Sequence, residues 1–100
     1  MSLKRAPHGV PALYPSTVQK VSYTDSSAAC TNAFGDDTEV VRIVATTACY
    51  VQFAASPTAT SSDFYLPADA VEYFNVTPGT KVAAIRVSTT SGTLCVCEMA

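Results

Sequence analysis

Short runs of β-branched and aromatic residues, cut at regular intervals by turn-forming clusters, constrain this chain more than any other feature. No stretch sustains a helical repeat of apolar positions, so the runs read as strands. They cover residues 18–24, 39–45, 49–54, 63–66, 71–76, 81–88 and 93–98, with 26–32 a weaker strand. Turn residues separate them: Phe34-Gly35-Asp36-Asp37, Pro67-Ala68-Asp69, Thr77-Pro78-Gly79 and 89–92, with a Ser/Thr/Pro loop at 55–62. Thr46-Thr47-Ala48 is short enough to close a hairpin between its flanking runs. Seven or eight short strands at this spacing predict an all-β fold. The expected form is a compact antiparallel β-sandwich or a jelly-roll-like barrel. One hundred residues suffice for one such domain and leave no room for a second.

Alternation assigns faces, because successive side chains of a strand point to opposite sides. Cys49, Val51 and Phe53 share one face and Tyr50 and Gln52 the other. Ala83, Ile85 and Val87 share a face opposite Arg86, and Val41, Ile43 and Ala45 are core candidates with Arg42 outward. If Leu94 and Val96 point inward, Cys95 and Cys97 point out.

The first sixteen residues are different. Pro7, Pro11 and Pro15 fix their own φ and bias the residues before them toward extended backbone. Leu3, Val10, Leu13 and Tyr14 make the segment too apolar for an idle linker. Residues 1–16 therefore read as an extended basic arm and 17–100 as the β domain. The arm is expected to dock through Lys4, Arg5, Pro7, Pro11, Leu13, Tyr14 and Pro15. Charge is divided in the same way. Residues 1–20 hold three cations and no acid, whereas 21–100 hold three cations against eight carboxylates, a balance of −5. A basic arm on an acidic body suits an acidic neighbour, including another copy of the chain. Three cations neutralise few phosphates, so no specific nucleic acid is expected. Only 14% of residues are charged against about a quarter in ordinary soluble domains, which fits either a subunit buried against a neighbour or an ordinary Ser/Thr-rich β domain. No run approaches the roughly 20 apolar residues that span a bilayer. No apolar segment follows Lys4 and Arg5, which predicts folding in a cytoplasm and no membrane partner.

Little in the chain suggests catalysis. His8, the single histidine, sits in the arm, where nothing holds it against a nucleophile. Cys95-Val96-Cys97 lies in a strand without a second cysteine pair, unlike the turn-borne pairs of structural zinc sites. Cys30 and Cys49 read as small buried hydrophobes, and Cys95 and Cys97 as members of a subunit contact. Asp36, Asp37 and Glu39 read as a solvated turn. Neither a phosphate-binding loop nor a zinc-protease motif occurs. The expectation is a protein that is not an enzyme and needs no cofactor or metal. Each of the pairs Phe64-Tyr65 and Tyr73-Phe74 offers one ring inward and one outward. Tyr65 and Tyr73 are thus further interface candidates, and with Tyr50 and the 56–63 loop they suggest a glycan or host-surface site as an alternative.

Residues 40–98 contain VRIVAT, CYVQF, SPTATSSD, LPA, EYF, TPG, KVAAI and a closing GTLCVCE. In these patterns the stretch resembles small all-β virion structural proteins of tailed bacteriophages. That resemblance implies a capsid decoration, or cement, protein of the phage head. It also implies the major capsid protein and copies of itself as partners, a homo-oligomer on the particle, and residence in the virion. A neck or tail accessory protein is the nearest alternative. The arm lies outside the resemblance.

Overall fold

The computed structural model describes residues 15–99, and among them there is no helix. Eight strands follow one another: β1 Pro15–Tyr23, β2 Ala28–Ala29, β3 Val40–Ala45, β4 Cys49–Ala54, β5 Phe64–Leu66, β6 Glu72–Asn75, β7 Lys81–Arg86 and β8 Gly92–Met99. They form two four-stranded sheets, ordered β1-β8-β3-β6 and β2-β7-β4-β5. Every pairing is antiparallel. β1 pairs with β8, β2 with β7, β3 with β6 and β4 with β5. This nested pairing of first with last, rolled into two sheets, is the jelly roll.

Only the β4–β5 connection stays within one sheet; each of the other six crosses between them. The hairpin expected at Thr46-Thr47-Ala48 is therefore incorrect. These residues carry the chain from β3 in one sheet to β4 in the other. The corner is held from outside its own sequence. The Tyr23 hydroxyl donates to the Thr47 carbonyl at 2.6 Å and accepts from the Thr47 amide at 3.2 Å. The Thr46 amide donates to the Thr93 carbonyl at 3.0 Å. Three small residues between strands are compatible with either geometry, and these long-range bonds select the arch.

The Thr77–Thr80 turn takes the form its residues suggest. Thr80 N donates to the Thr77 carbonyl at 3.2 Å, and Gly79 has φ +87°. Proline followed by a positive-φ glycine makes a type II turn. Elsewhere the bounds shift. β1 begins at Pro15, three residues before the expected strand and inside the segment assigned to the arm. The weak 26–32 strand contracts to Ala28–Ala29.

Alternation places the core where the sheets face each other. Val21 and Tyr23 of β1, Leu94 and Val96 of β8, and Val41, Ile43 and Ala45 of β3 meet Cys49, Val51, Leu66, Val82 and Ala84 of the second sheet. Each fully buried Val, Leu or Ile contributes about 1.5–3 kcal/mol relative to exposure. Ala83 and Ile85 do lie opposite Arg86, but on the outer face. The core face of β7 is Val82 and Ala84, and Arg86, opposite Cys49, reaches solvent at the strand end to donate to Ser91 Oγ at 3.1 Å.

β8 also carries a carboxylate inward. Glu98 is 5% exposed and accepts from Thr38 Oγ1 at 2.5 Å and from the Gly35 amide at 3.0 Å. These bonds fasten the Phe34–Glu39 segment over the end of the core. Burial of a charge is tolerated where donors meet it.

Candidate interaction surface

The outer faces of the two sheets differ. On the β2-β7-β4-β5 sheet, the 55–62 loop folds back over the strands. Gln52 Oε1 accepts from the Thr58 amide at 2.9 Å, Ser27 Oγ accepts from the Ala59 amide at 2.8 Å, and Asp63 accepts from the Thr60 amide at 2.7 Å. The Thr60 amide is the largest cause of a lowered Asp63 pKa, opposed by desolvation and aided by Gln52 and the Thr60 hydroxyl. Ala83, on this outer face between Ala29 and Gln52, is fully buried. Beyond the loop, Tyr50 and Tyr65 meet edge to face at 5.8 Å.

Among the described residues no such loop lies over the outer face of the β1-β8-β3-β6 sheet. Its side chains follow from the register. Val18, Cys97, Arg42 and Tyr73 form one row across all four strands. Lys20, Cys95 and Val44 form a second, and Met99, Val40 and Asn75 a third. Val18 is 60% and Tyr73 56% exposed, while Cys95, Cys97, Val40, Val44 and Met99 are half-buried among their neighbours. β8 and β3 are thus apolar on both sides, the pattern of strands meant to be covered twice. Four strands by about five residues is roughly 19 by 16 Å, or about 300 Å². The largest apolar patch on an ordinary monomer is itself about 300–600 Å² and is often functional. The rows hold two cations, Lys20 and Arg42, and no carboxylate.

All four cysteines are free. Cys30 and Cys49 are buried and Cys95 and Cys97 face outward, as alternation indicated. Two residues along a strand separate side chains by about 6.6 Å, too far for the 3.5–4.5 Å between the Cβ atoms of a disulfide. Cys95 and Cys97 are neighbours that do not suit a bond to each other. Burial pushes the Cys49 thiol up to about 11, with a smaller opposing effect from its hydrogen bond to Tyr23.

Tyr65 and Tyr73 lie on opposite outer faces of the sandwich, because β5 and β6 belong to different sheets. The expected grouping of Tyr50, Tyr65 and Tyr73 therefore does not form. Gln52, which shares the outer face of β4 with Tyr50, and Asp63, which precedes β5, are engaged with their own loop. Phe64 and Phe74 lie on the inner sides of their sheets, Phe64 still 46% exposed at the rim, and continue an aromatic series, Phe64–Phe74 at 5.3 Å, Phe74–Phe53 at 5.1 Å and Phe53–Phe34 at 6.3 Å. Pro15 is exposed at the start of β1, opposite Met99. Lys4, Arg5, Pro7, Pro11, Leu13 and Tyr14 lie outside the described residues.

Val40, Val44 and Met99 were missed as surface candidates. Their signal was the two-sided apolar character of VVRIVA and GTLCVCEM, which reads first as core. Two open clefts lie elsewhere on the described surface. One of about 260 Å³ lies among Thr46, Thr47, Ala68, Val87 and Thr90 and has no titratable lining group. The other, about 370 Å³, lies among Glu39, Asn75, Val76, Thr77 and Pro78. Among the described residues no cluster of three His, Cys, Asp or Glu side chains is placed to hold a metal.

No family model matches the chain, and neither a curated protein nor a solved structure matches it.

Proposed function

We propose that this protein is a non-enzymatic virion structural subunit that decorates and stabilises a phage head. The observation that carries the reading is the apolar outer face of the β1-β8-β3-β6 sheet, which no loop among the described residues covers, on a jelly-roll body. Jelly rolls serve in viral capsids, lectins and cupins alike, so the fold enters as analogy only. The resemblance of residues 40–98 to phage virion proteins selects the first of these. Engagement of Gln52 and Asp63 within their own loop removes two polar groups that a glycan site beside the tyrosine pair would use, and so weakens the glycan alternative.

The mechanism is mechanical. A face of about 300 Å² is well short of the roughly 800 Å² that each partner contributes to a stable interface. One such contact is weak, and a second contact from the same chain converts it into avid binding by raising effective concentration. The partners are the major capsid protein and neighbouring copies.

Quantitative mass spectrometry and electron cryomicroscopy of the particle encoded by the same genome test this. Stoichiometry near that of the major capsid protein supports a shell component. A few copies at one vertex place the protein in the neck or tail, and absence from the particle refutes the proposal. Val18→Asp, at a 60% exposed position, should leave stability within about 0.5 kcal/mol while releasing the protein from particles.

A further inference from the structure

We infer that Cys95, Cys97 and Met99 form a binding site for one cuprous ion on the outer face of β8. The inference goes beyond the assembly reading and does not rest on it, since all three ligands belong to one strand of one chain.

β8 places sulfur at three consecutive outward positions. Leu94, Val96 and Glu98 are buried on its inner side, which turns Cys95, Cys97 and Met99 out together. The strand is paired with β1 on one side and β3 on the other, so the sheet and not a loop holds these positions. All three side chains are half-buried, and both thiols are free. Cys97 Sγ donates to the Glu98 carbonyl at a long 3.8 Å, a weak bond that a metal would replace.

Spacing decides what the thiols hold. Their Cβ atoms are about 6.6 Å apart along the strand, too far for a disulfide. A bridging ion has different needs. With metal–thiolate bonds of about 2.3 Å, as in zinc thiolates, two sulfurs on opposite sides of one ion stand about 4.6 Å apart. Each sulfur reaches that separation by leaning about 1 Å toward the other, which staggered χ1 rotamers along a strand allow. Met99, with its three rotatable bonds, reaches back from the next outward position as a third ligand.

Donor chemistry selects the ion. Thiolate and thioether sulfur are soft donors that favour cuprous copper, which accepts two or three of them. Structural zinc takes four ligands, and among the described residues no third His, Cys, Asp or Glu joins the two thiols. The surrounding charge agrees. Binding releases both thiol protons to solvent and leaves a cuprous bis-thiolate with a net single negative charge. Lys20 pairs with Cys95 from β1 and Arg42 with Cys97 from β3, and the three rows hold no carboxylate. One cation thus stands beside each thiolate.

The full-length chain, reduced and free of oxygen, is titrated with tetrakis(acetonitrile)copper(I) against the chromogenic chelator bicinchoninate. The expected result is one copper withdrawn from the chelator per chain, X-ray absorption dominated by sulfur scattering, and protection of Cys95 and Cys97 from iodoacetamide in peptide maps. Cys95→Ser and Cys97→Ser should each abolish the transfer while thermal unfolding stays cooperative. Met99→Leu should keep one ion at about 10–100-fold lower affinity, the scale on which losing a supporting partner weakens a metal site. A native chain that withdraws no copper overturns the inference, as does transfer retained in a folded serine variant. One copper shared by two chains overturns it too, because separate molecules then supply the sulfur. Unchanged affinity in Met99→Leu overturns the three-sulfur site. Should a serine variant unfold, the native chain decides: copper that leaves Cys95 and Cys97 open to alkylation overturns the inference.

Discussion

Replacing Tyr23 by phenylalanine removes one oxygen and keeps the ring in the core. That oxygen is bonded to the Thr47 carbonyl at 2.6 Å, the Thr47 hydroxyl at 2.8 Å and the Thr47 amide at 3.2 Å. The sequence separation is 24 residues, and the bonds join β1 to the corner where the chain changes sheets. The two shorter bonds are worth about 1 kcal/mol each, and the Thr47 amide left without an acceptor adds to the loss. Thr47 is half-buried, so water recovers part of that last contribution. The expected destabilisation is about 2–3 kcal/mol. For a domain of this size each kcal/mol lowers Tm by about 4–8 °C, so the drop is roughly 10–20 °C. Urea denaturation should show a lower midpoint with an unchanged slope, and calorimetry the matching fall in Tm. Tyr50→Phe, with its ring on the outer face, is the control and should change stability by less than about 0.5 kcal/mol. A loss below about 0.5 kcal/mol for Tyr23→Phe would show that the corner is held by packing alone and would refute the role given to the hydroxyl.

Two further outcomes follow from neighbouring geometry. A methyl group at Gly92 would meet the Tyr23 hydroxyl and Thr46 Oγ1 at 2.7 Å, with Thr47 Oγ1 closer still. Gly92→Ala should therefore cost about 1–3 kcal/mol in urea titrations. Because Tyr23→Phe removes one of the clashing atoms, the double variant should lose less than the sum of the single ones, and strict additivity would contradict the arrangement. Cys49 gives a pH dependence. In the folded protein its thiol titrates at about 11, against 9.0 as the ordinary value. The unfolded chain sheds this proton first, so the contribution is fully present below the ordinary value and declines as pH rises from 9 toward 11. The loss is on the order of 2 kcal/mol. Paired urea titrations of the native chain and Cys49→Ala over that range should show a steeper decline for the native chain; parallel declines would be the contrary result.

The strand runs were legible because their residues match the pleat and the turns between them carry proline, glycine and aspartate. The faces of β3, β4 and β8 were legible for the same reason: Arg42, Gln52 and the apolar alternation leave one choice. β7 was not. Arg86 marked its own side as outer, yet at the last residue of a strand a long side chain reaches water from the core face, so a terminal charge says little about orientation. The sheet assignment was hidden as well. Thr46-Thr47-Ala48 has the length of a hairpin, and only the distant partners Tyr23 and Thr93 make it an arch. The outward turn of Cys95 and Cys97 followed from β8 alone, but their row partners Val18, Val44 and Arg42 required the strand order. Glu98 looked like an ordinary surface acid, since its donors on Gly35 and Thr38 are 63 and 60 positions away.

The placement of β8 between β1 and β3 has a consequence for biosynthesis. A nascent chain leaving the ribosome displays seven strands before the one that fills the middle of a sheet. Until Gly92–Met99 clears the exit tunnel, β1 has no ladder partner, Ile43 lacks Val96 beside it and Val41 lacks Glu98. Vectorial synthesis therefore cannot complete this body step by step. Folding waits for the closing strand, and such late, non-local pairing is slow and exposes sticky intermediates. A tag or fusion that delays release of that segment should raise the demand for chaperones long before it affects the finished molecule.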